Sequence, residues 1–390
     1  MSDNAKFDIV IYGASGFTGR LVAEYMHVIK GHGLSWAMAG RSHDKLASVR
    51  DEIGADAATP LVVADAADPE SVRAMVRDAR CIISTVGPYQ LYGSDLVAAC
   101  AELGTDYVDL SGEPGWMHEM INRYHEQAVN SGARIVHSCG FDSIPFDLGV
   151  LFLQDAASEK FGATCPRVRG RVRAMNGEFS GGTAASLNAT MEALGKNPEL
   201  LAVLANPFSL ANGFQGPEQP ADNKPYEDEV VGQWVAPFIM AAINTKNVHR
   251  SNALLGFAYG EDFQYDEMML TGAGEEGKAV AEIVATVNPL VGDDVPQPGE
   301  GPSKESREAG NYDVLFVGTT AAGDEIRAAV TGDMDPGYGS TSKMIAESAV
   351  CLLQDCPDLA GGIYTSAPAM GQKLIKRLVA HAGLTFAIES

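Results

Sequence analysis

The sequence predicts an α/β protein: a doubly wound parallel sheet at the amino end, followed by a second α+β domain. Three observations predict this fold class. Short apolar stretches alternate with helical patterns through about the first 150 residues, which is typical of a parallel sheet with right-handed crossovers. Stretches of alternating polarity and loops rich in Pro, Gly and acidic residues follow, which is typical of antiparallel pairs. The chain of 390 residues also exceeds the size of one ordinary core.

The predicted first strand, residues 7–12, runs directly into glycines at three-residue spacing. Gly13 allows a tight turn off the strand, Gly16 lets the backbone approach a diphosphate, and Gly19 lets the following helix lie against the sheet. Ser15 stands where the usual GxGxxG motif has its second glycine, and its hydroxyl can bond a phosphate oxygen. The N–H groups and positive dipole end of the helix then hold the phosphates. The motif predicts a Rossmann-type, dinucleotide-binding domain.

The residues after the second strand indicate which dinucleotide is bound. A site for NAD usually has an acidic residue here to bond the ribose 2′-hydroxyl, but this chain has Arg41 beside Ser42, with Lys45 in the next helix. A guanidinium suits a 2′-phosphate through its charge and its two-pronged geometry. The alternative is that Ser42 only caps the helix and Arg41 is solvated. We expect NADP rather than NAD as the cofactor.

Polar residues follow the later strands, at the sheet edge where open α/β sheets bind ligands. Asp65, after strand three, can bond adenine or serve as a turn residue. The Gly-Pro turn after strand four brings backbone near the nicotinamide ribose, with Tyr89 facing the substrate or the solvent. Asp142, after strand six, lies at the mouth of the expected cleft. The candidate cofactor-binding residues are Gly13, Ser15, Gly16, Phe17, Thr18, Gly19, Arg41, Ser42, Asp65, Thr85, Val86, Gly87, Pro88, Tyr89 and Asp142.

Two carboxylates four residues apart, Asp109 and Glu113, follow strand five. They can bind a polar substrate or relay a proton, and Tyr89 is the third candidate for this catalytic neighbourhood. The alternative is a helix N-cap with acids at the positive dipole end. Cys139 is a weak candidate for a nucleophile because no His or Asn partner is marked.

Composition excludes several classes of function. The net charge of −23 argues against binding nucleic acid or anionic lipid head groups. The longest apolar candidate, residues 234–243, is about half the ~18–20 residues that span a bilayer, so we expect no integral membrane segment. The amino end shows no signal-peptide pattern, and the six cysteines show neither CxxC nor metal-ligand spacing. We therefore expect a cytoplasmic protein with reduced thiols and no metal.

The domain organisation is predicted as a cofactor domain over residues 1–155, a substrate and dimerisation domain over 156–335, and a C-terminal segment over 336–390. The helical patterns at 340–353 and 369–382 are expected to return to the first domain, which places a substrate cleft between the two domains. In the second domain, residues 167–175 alternate like an exposed strand and residues 180–195 form a helix. Residues 213–229 and 291–312 resemble loops, and residues 313–319 and 324–331 form a hairpin. A homodimer is expected from its general frequency.

Taken together, these motifs resemble the saccharopine dehydrogenase-like oxidoreductases, including the trans-acting enoyl reductases. The stretches that carry the resemblance are residues 13–19, 39–42, 86–89 with 92–93, Cys100, 109–113, 140–145 with 147–149, and, near the C-terminus, 337–338, 361–362 and 377–378. The resemblance implies an NADP-type Rossmann domain, a second domain that carries the substrate, and a reduction that depends on pyridine nucleotide. It leaves the substrate open, because relatives act on amino-acid imines and on C=C bonds of polyketide-derived lipids.

The leading hypothesis is an NADPH-dependent reductase of lipid metabolism that transfers hydride to a C=C bond of an acyl substrate. The helix from Thr183 and the apolar run 234–243 could line a groove for it, although ordinary core is the alternative for that run. A second hypothesis is an imine reductase that binds an amino-acid carboxylate through Arg167, Arg169, Arg171 and Arg173, whose alternative is a solvated face. A third is a protein that binds NADP without catalysis.

Overall fold

The computed structural model describes residues 5–178, 181–287 and 299–389, and its described strands form two seven-stranded sheets. Elements are numbered along the chain. The strands of the first sheet are β1 Phe7–Tyr12, β2 Trp36–Gly40, β3 Leu61–Val63, β4 Ala79–Ser84, β5 Asp106–Asp109, β6 Arg134–Val136 and β13 Gly362–Tyr364. The helices of this region are α1 Phe17–Val28, α2 His43–Glu52, α3 Pro69–Arg77, α4 Tyr89–Tyr92, α5 Ser94–Leu103, α6 Pro114–Ser131 and α7 Ile144–Phe161.

The first sheet is parallel throughout, with the order β3-β2-β1-β4-β5-β6-β13. Its central strands are apolar on both faces because helices cover both sides, as shown by Ile9, Val10 and Ile11, which are fully buried. The direction of strand order reverses between β1 and β4, and ligands of such sheets bind in the crevice at that point. The predicted doubly wound sheet is confirmed, with one additional strand from the C-terminal region.

The second sheet is mixed, with the order β14-β12-β11-β7-β10-β9-β8. Only β7 and β10 pair in parallel within it. Its strands are β7 Arg167–Asn176, β8 Tyr226–Asp228, β9 Gln233–Pro237, β10 Gln264–Gly272, β11 Asn311–Thr319, β12 Glu325–Gly332 and β14 Leu384–Glu389. The remaining helices are α8 Gly181–Lys196, α9 Leu200–Ala205, α10 Ala241–Leu254, α11 Gly274–Val284, α12 Lys304–Ala309, α13 Thr341–Gln354 and α14 Ser366–Arg377.

Several details of the second half differ from the expectation. β7 lies in the middle of its sheet rather than at an exposed position, since β11 and β10 flank it. The run 213–229, predicted as a loop, contributes the edge strand β8. Residues 180 and 291–298, which belong to the predicted helix and the second predicted loop, lie outside the described residues. The hairpin of β11 and β12 is confirmed by their antiparallel register.

The C-terminal segment returns to the first sheet, as expected. α13 packs against α1 and against β4 and β5, and β13 pairs with β6. The buried carboxylate of Glu347 in α13 accepts hydrogen bonds from the Tyr25 hydroxyl at 2.7 Å and from His32 Nε2 at 2.8 Å. These bonds tie α13 to α1, which contains Tyr25, and to the turn after α1, which contains His32. The last strand, β14, instead joins the second sheet beside β12. The domain boundaries near residues 155 and 335 stay a prediction.

α7 connects the two sheets and forms part of a core that they share. It begins after β6 and packs against β11 and β12. Gly149 of α7 lies so close to the ring of Phe316 that a Cβ atom there would be 2.4 Å from it. One buried apolar cluster therefore extends from Ile9 in the first sheet to Phe316 in the second. None of the described helices combines the length and the apolar character needed to cross a bilayer.

Candidate cofactor and substrate site

The turn after β1 is built from glycines that leave no room for side chains. A Cβ atom on Gly13 would be 2.6 Å from Thr85 Oγ1, and Gly13 has a φ of +93°. A Cβ on Gly19 would be 2.1 Å from the carbonyl oxygen of Gly13, so the helix backbone rests directly on the turn. A Cβ on Gly16 would meet only that same oxygen, at 3.3 Å. Gly13 and Gly19 thus set the packing, and exposed Gly16 lies on the open side.

The amino end of α1 is free to bind an anion. No side chain caps it, and its first turn contains no acidic residue. Its first N–H groups and its dipole therefore face the open side of the glycine turn without a competing partner from a capping side chain. Ser15 Oγ lies beside Gly40 at the end of β2, where a Cβ on Gly40 would be 3.3 Å from it. The glycine turn of residues 13–16 and the amino end of α1, here called the glycine cradle, fit the diphosphate of a dinucleotide.

Phe17 and Thr18 open the first turn of α1, and both are partly buried. The Phe17 ring meets the ring of Tyr338 edge to face, with 5.2 Å between centroids. The guanidinium carbons of Arg20 and Arg307 lie 5.8 and 5.7 Å from the Phe17 centroid. The position of Arg307 beside Phe17 could not be predicted, because no local sequence pattern relates two residues so far apart in the chain. These contacts bring positive charge beside the phosphate cradle.

Residues at the ends of β2 and β3 gather at the expected adenosine side. Arg41 is exposed and makes no hydrogen bond or ion pair within the described part of the chain. Ser42 Oγ accepts a hydrogen bond from Lys45 N at 3.3 Å, which is the capping alternative considered for it. Asp65 Oδ1 accepts from Ala67 N at 3.0 Å and so forms a turn. Burial, reinforced by the Asp65 carboxylate and opposed by Arg41, raises the pKa of Tyr12 to about 12.

The tip of β4 connects the two halves of the sheet. Thr85 N and Thr85 Oγ1 both donate to the carbonyl oxygen of Tyr12, at 3.0 and 3.1 Å. These bonds lie between the ends of β1 and β4, where the strand order reverses. Val86 is partly buried, Gly87 is exposed and Pro88 is buried. The predicted cofactor residues of this turn therefore form a continuous strip from the glycine cradle toward Tyr89.

Glu113 fixes the end of that strip through hydrogen bonds to its backbone. Its carboxylate accepts hydrogen bonds from Tyr89 N at 2.8 Å, Gln90 N at 2.9 Å and Ser186 Oγ at 3.0 Å. Ser186 belongs to α8, so Glu113 joins the first sheet to a helix that follows β7. Burial raises the pKa of Glu113, and the hydrogen bonds from Gln90, Tyr89 and Ser186 oppose that rise.

Tyr89 and Asp109 are committed to internal hydrogen bonds. The Tyr89 hydroxyl donates to Ser84 O and accepts from Leu110 N, each at 3.0 Å, and the side chain is buried. Asp109 is fully buried. Its carboxylate accepts hydrogen bonds from four groups that sequence reasoning did not single out: Tyr107 Oη at 3.0 Å, His137 Nδ1 at 2.7 Å, Ser138 N at 2.8 Å and Ser111 N at 3.0 Å. Both residues thus fix the ends of β4, β5 and β6.

Asp142 differs from these acids because its carboxyl has no partner. It is partly buried and makes no hydrogen bond or ion pair with any described residue. Burial raises the pKa of Asp142 to about 6. Cys139, three residues before it, is fully buried, and burial raises the pKa of its thiol well above the usual range. A thiol in that state is a poor nucleophile.

Three of the four arginines of β7 are engaged by carboxylates of the protein itself, whereas Arg169 is partly buried and has no ion pair among the described residues. Arg171 is fully buried and pairs with Asp228 at 2.7 Å and Asp266 at 2.8 Å, and Arg167 also contacts Asp266. Arg173 binds Asp313 and Glu389, at 2.8 and 2.7 Å. These three arginines therefore neither form a solvated face nor present free charges to a substrate carboxylate.

An apolar cavity of about 220 Å³ lies beside the first turns of α6. Its lining residues come from α6, α9 and the segment after α9: His118, Ala202, Val203, Asn206, Phe208, Ser209, Gly213 and Phe214. It is formed by a different part of the chain from the groove expected from Thr183 and the run 234–243. The described residues contain no cluster of three or more His, Cys, Asp or Glu side chains suited to a metal ion.

Comparisons with known proteins identify the family of the chain. The family model of the saccharopine dehydrogenase NADP binding domain matches residues 9–136. A protein of Mycobacterium tuberculosis (strain ATCC 25618 / H37Rv), provisionally named a trans-acting enoyl reductase, is 40% identical over 96% of each chain. The trans-acting enoyl reductase of Mycobacterium ulcerans (strain Agy99) is 36% identical over 97% of this chain and 96% of its own.

A solved structure shares the whole fold. The apo saccharopine dehydrogenase (L-Glu forming) of Saccharomyces cerevisiae has a TM-score of 0.55 and 11% identity, covering 98% of this chain and 100% of its own. At that identity the likeness concerns the fold alone.

The glycine cradle and the matching cofactor domain define an NADP-dependent oxidoreductase. The chain belongs to the saccharopine dehydrogenase-like family of oxidoreductases, which includes the trans-acting enoyl reductases. The resemblance seen in the sequence motifs is confirmed, and so is NADP as the cofactor.

Replacing Arg41 with Ala should weaken NADPH binding while leaving NADH binding nearly unchanged. The substitution removes a charge-assisted contact worth about 1.5–3 kcal/mol, which corresponds to a roughly tenfold to hundredfold rise in the Kd for NADPH. Titration of both nucleotides by calorimetry measures this. Arg123→Ala, which removes the same charge from an exposed position of α6, is the control. Equal losses for NADPH and NADH would refute the assignment of Arg41 to the 2′-phosphate.

Replacing Asp142 with Asn should stabilise the protein in a pH-dependent way. Because burial raises the pKa of Asp142 from 3.8 to about 6, the wild type loses stability as the pH rises through that interval. The melting temperature of Asp142→Asn relative to wild type should therefore increase from about pH 4 to about pH 6 and stay constant above that. Asp358→Asn, at an exposed position, is the control. A difference that is independent of pH would show that burial does not govern Asp142.

Proposed function

We propose that this NADP-dependent reductase reduces a C=C bond of an acyl or lipid-like substrate in the cleft between its two sheets. NADPH supplies the hydride when it is bound. The observation that carries the proposal is the likeness over nearly the whole chain to proteins named trans-acting enoyl reductases, at 36–40% identity. The apolar cavity beside α6 supports it, because the chain of an acyl substrate needs an apolar environment.

The proposed cofactor residues act by binding and orienting the dinucleotide. The amino end of α1, with Ser15 and Thr18, holds the diphosphate, and Arg41 with Ser42 holds the 2′-phosphate. Asp65 lies toward the adenine. The strip from Thr85 to Tyr89 would lie along the nicotinamide half and orient it.

The proton that completes the reduction must come from an acidic group that is not already held by hydrogen bonds within the protein. The Tyr89 hydroxyl and the Asp109 carboxylate are held by internal hydrogen bonds, so we propose that they position the strand ends and do not transfer protons. Glu113 fixes the backbone of Tyr89 and Gln90 against α8 and positions the nicotinamide strip. Asp142 is partly buried, lacks a partner and has a pKa of about 6, which suits a general acid.

The imine-reductase alternative loses its main support. Of the four arginines that it required to bind a substrate carboxylate, Arg167, Arg171 and Arg173 are engaged with aspartates and a glutamate. Among the described residues, Arg169 alone of the four has no carboxylate partner.

The proposal predicts that the protein oxidises NADPH when crotonyl-CoA is added, because this compound joins an acyl chain to a conjugated C=C bond. Loss of NADPH absorbance and mass detection of butyryl-CoA measure the reaction. Glyoxylate with ammonia tests the imine alternative in parallel. Oxidation with the imine mixture alone would contradict C=C reduction. Oxidation with neither, across acyl chains of increasing length, would favour a protein that binds NADP without catalysis.

A further inference from the structure

Two thiols lie in contact at the end of α13. The sulfur atoms of Cys351 and Cys356 are 4.0 Å apart, a distance that permits a weak hydrogen bond between them. Cys351 belongs to the last turn of α13, and Cys356 is the second residue after the helix. Both residues are buried. Two free thiols this close can join as a disulfide if the backbone allows it.

The backbone at the end of α13 meets the geometric requirement of a disulfide. Cys356 N donates a hydrogen bond to Cys351 O at 3.1 Å. With standard bond lengths, that hydrogen bond limits the separation of the two Cα atoms to about 7 Å. Cysteines whose Cα atoms lie farther apart than about 7 Å cannot be bridged without backbone movement. This pair lies within the limit, so side-chain rotation can close the remaining gap of about 2 Å between the sulfur atoms.

Neighbouring elements hold this end of α13 in place. Arg134 Nη1, at the start of β6, donates to Cys356 O at 2.5 Å. From α14, Lys373 Nζ donates to Asp355 O at 2.7 Å, and Arg377 Nε pairs with the Asp355 carboxylate at 3.2 Å. These contacts fix the backbone of residues 355 and 356 from two sides. The two thiols are therefore kept in contact by the fold.

The two thiols differ in their readiness to ionise. The hydrogen bond from the Cys351 thiol lowers the pKa of Cys356, burial opposes this, and the positive charges of Lys373 and Arg134 add to the lowering. The same hydrogen bond, together with burial, raises the pKa of Cys351. Because the thiolate is the reactive form of cysteine, Cys356 is the nucleophile of the pair and Cys351 is the thiol that remains protonated beside it.

Apolar packing is the alternative explanation for the contact. Free cysteines often pack as small apolar residues, and both thiols belong to the same buried apolar cluster. Packing alone does not require positive charges near one of the two thiols. Cys139, in the same cluster, shows the contrast, because burial and the charge of Asp109 both raise the pKa of its thiol. Cys356 also lies between the partly exposed Asp355 and the exposed Pro357, close to the protein surface.

We propose that Cys351 and Cys356 form a site of oxidative modification, at which a hydroperoxide converts the two thiols into a disulfide. With hydrogen peroxide, the Cys356 thiolate attacks one peroxide oxygen and the O–O bond breaks. Cys356 becomes a sulfenic acid, and the hydroxide that leaves takes up a proton to form water. Cys351 then attacks Cys356 Sγ: the S–S bond forms, the S–O bond breaks, and the proton of Cys351 leaves with the oxygen as a second water. Two thiols and one peroxide thus give one disulfide and two waters.

The site lies at the edge of the first sheet opposite to the glycine cradle. Arg134, which bonds Cys356 O, is the first residue of β6 and pairs with Asp106, the first residue of β5. The cradle instead follows the carboxyl end of β1, and all strands of this sheet run in parallel. The disulfide should therefore fasten the end of α13 without changing how NADPH binds.

Peptide mapping after mild oxidation tests the proposal. The folded protein is treated with hydrogen peroxide, which is then removed with catalase, and the protein is unfolded in N-ethylmaleimide and digested with trypsin. Residues 344–373 form one tryptic peptide that contains both cysteines of the pair and no other cysteine. This peptide should be lighter by two hydrogen atoms and carry no maleimide, whereas the peptides with Cys81, Cys100, Cys139 and Cys165 should be alkylated. Full alkylation of the 344–373 peptide, or earlier loss of another thiol, would overturn the proposal.

Two single variants separate the roles of the two thiols. Cys351→Ser should leave Cys356 as a sulfenic acid that dimedone labels, whereas Cys356→Ser should give no dimedone adduct at Cys351. Cys165→Ser, which replaces a buried cysteine of the second half of the chain, is the matched control and should form the disulfide like wild type. Dimedone labelling of Cys351 in Cys356→Ser, with none of Cys356 in Cys351→Ser, would contradict the assignment of the nucleophile.

Stability and cofactor binding provide a second readout. Oxidised wild type should melt about 2–4 °C above the reduced protein, because the disulfide restricts the unfolded chain, and dithiothreitol should reverse the rise. Cys351→Ser should show no such rise. The Kd for NADPH should be the same before and after oxidation. A lower melting temperature together with weaker NADPH binding would show that peroxide damages the fold instead of forming a disulfide that fits it.

Discussion

The contact between the backbone of Gly19 and the carbonyl of Gly13 is the constraint on which the site depends. Any Cβ at position 19 would be 2.1 Å from that oxygen, so α1 can approach the end of β1 only because position 19 is glycine. The approach directs the uncapped amino end of α1 into the crevice between β1 and β4. Thr85 closes the same crevice from the β4 side with two bonds to Tyr12 O. The place that we propose for the cofactor depends on this packing.

The part of the site that we propose for the nicotinamide is assembled from distant parts of the chain. Glu113 ties the β4 tip to Ser186 of α8, Phe17 packs against Tyr338, and Asn247 of α10 bonds Ser143 after β6. Each of these contacts joins the first domain to a segment that follows β7 in sequence. A cofactor bound at the sheet edge would therefore lie against residues of the second half of the chain, and the same contacts would orient a substrate there.

The fold of the first sheet and NADP as the cofactor could be predicted from the sequence because their signals are local. A strand, three spaced glycines and Arg41 lie within 35 residues of one another, and the periodicity of the later strands is equally local. The ion pairs of Arg167, Arg171 and Arg173 in β7 could not be predicted from the sequence, because alternating charge looks the same whether the partner is water or a buried aspartate such as Asp266. The burial of Lys246 in α10 could not be predicted, since a lysine in a polar helix normally indicates an exposed face. Burial of α10 depends on tertiary packing, which the local pattern does not contain.

Hydrogen exchange of the backbone amides, with and without NADPH, tests the central claim most directly. NADPH should slow exchange in the peptide covering residues 13–20, where the first N–H groups of α1 would bind the diphosphate, and near Arg41. The helices of the second sheet that lie far from the cleft, such as α11, should not change. Unchanged exchange at residues 13–20 under saturating NADPH would contradict the account, because the cofactor would then be bound elsewhere.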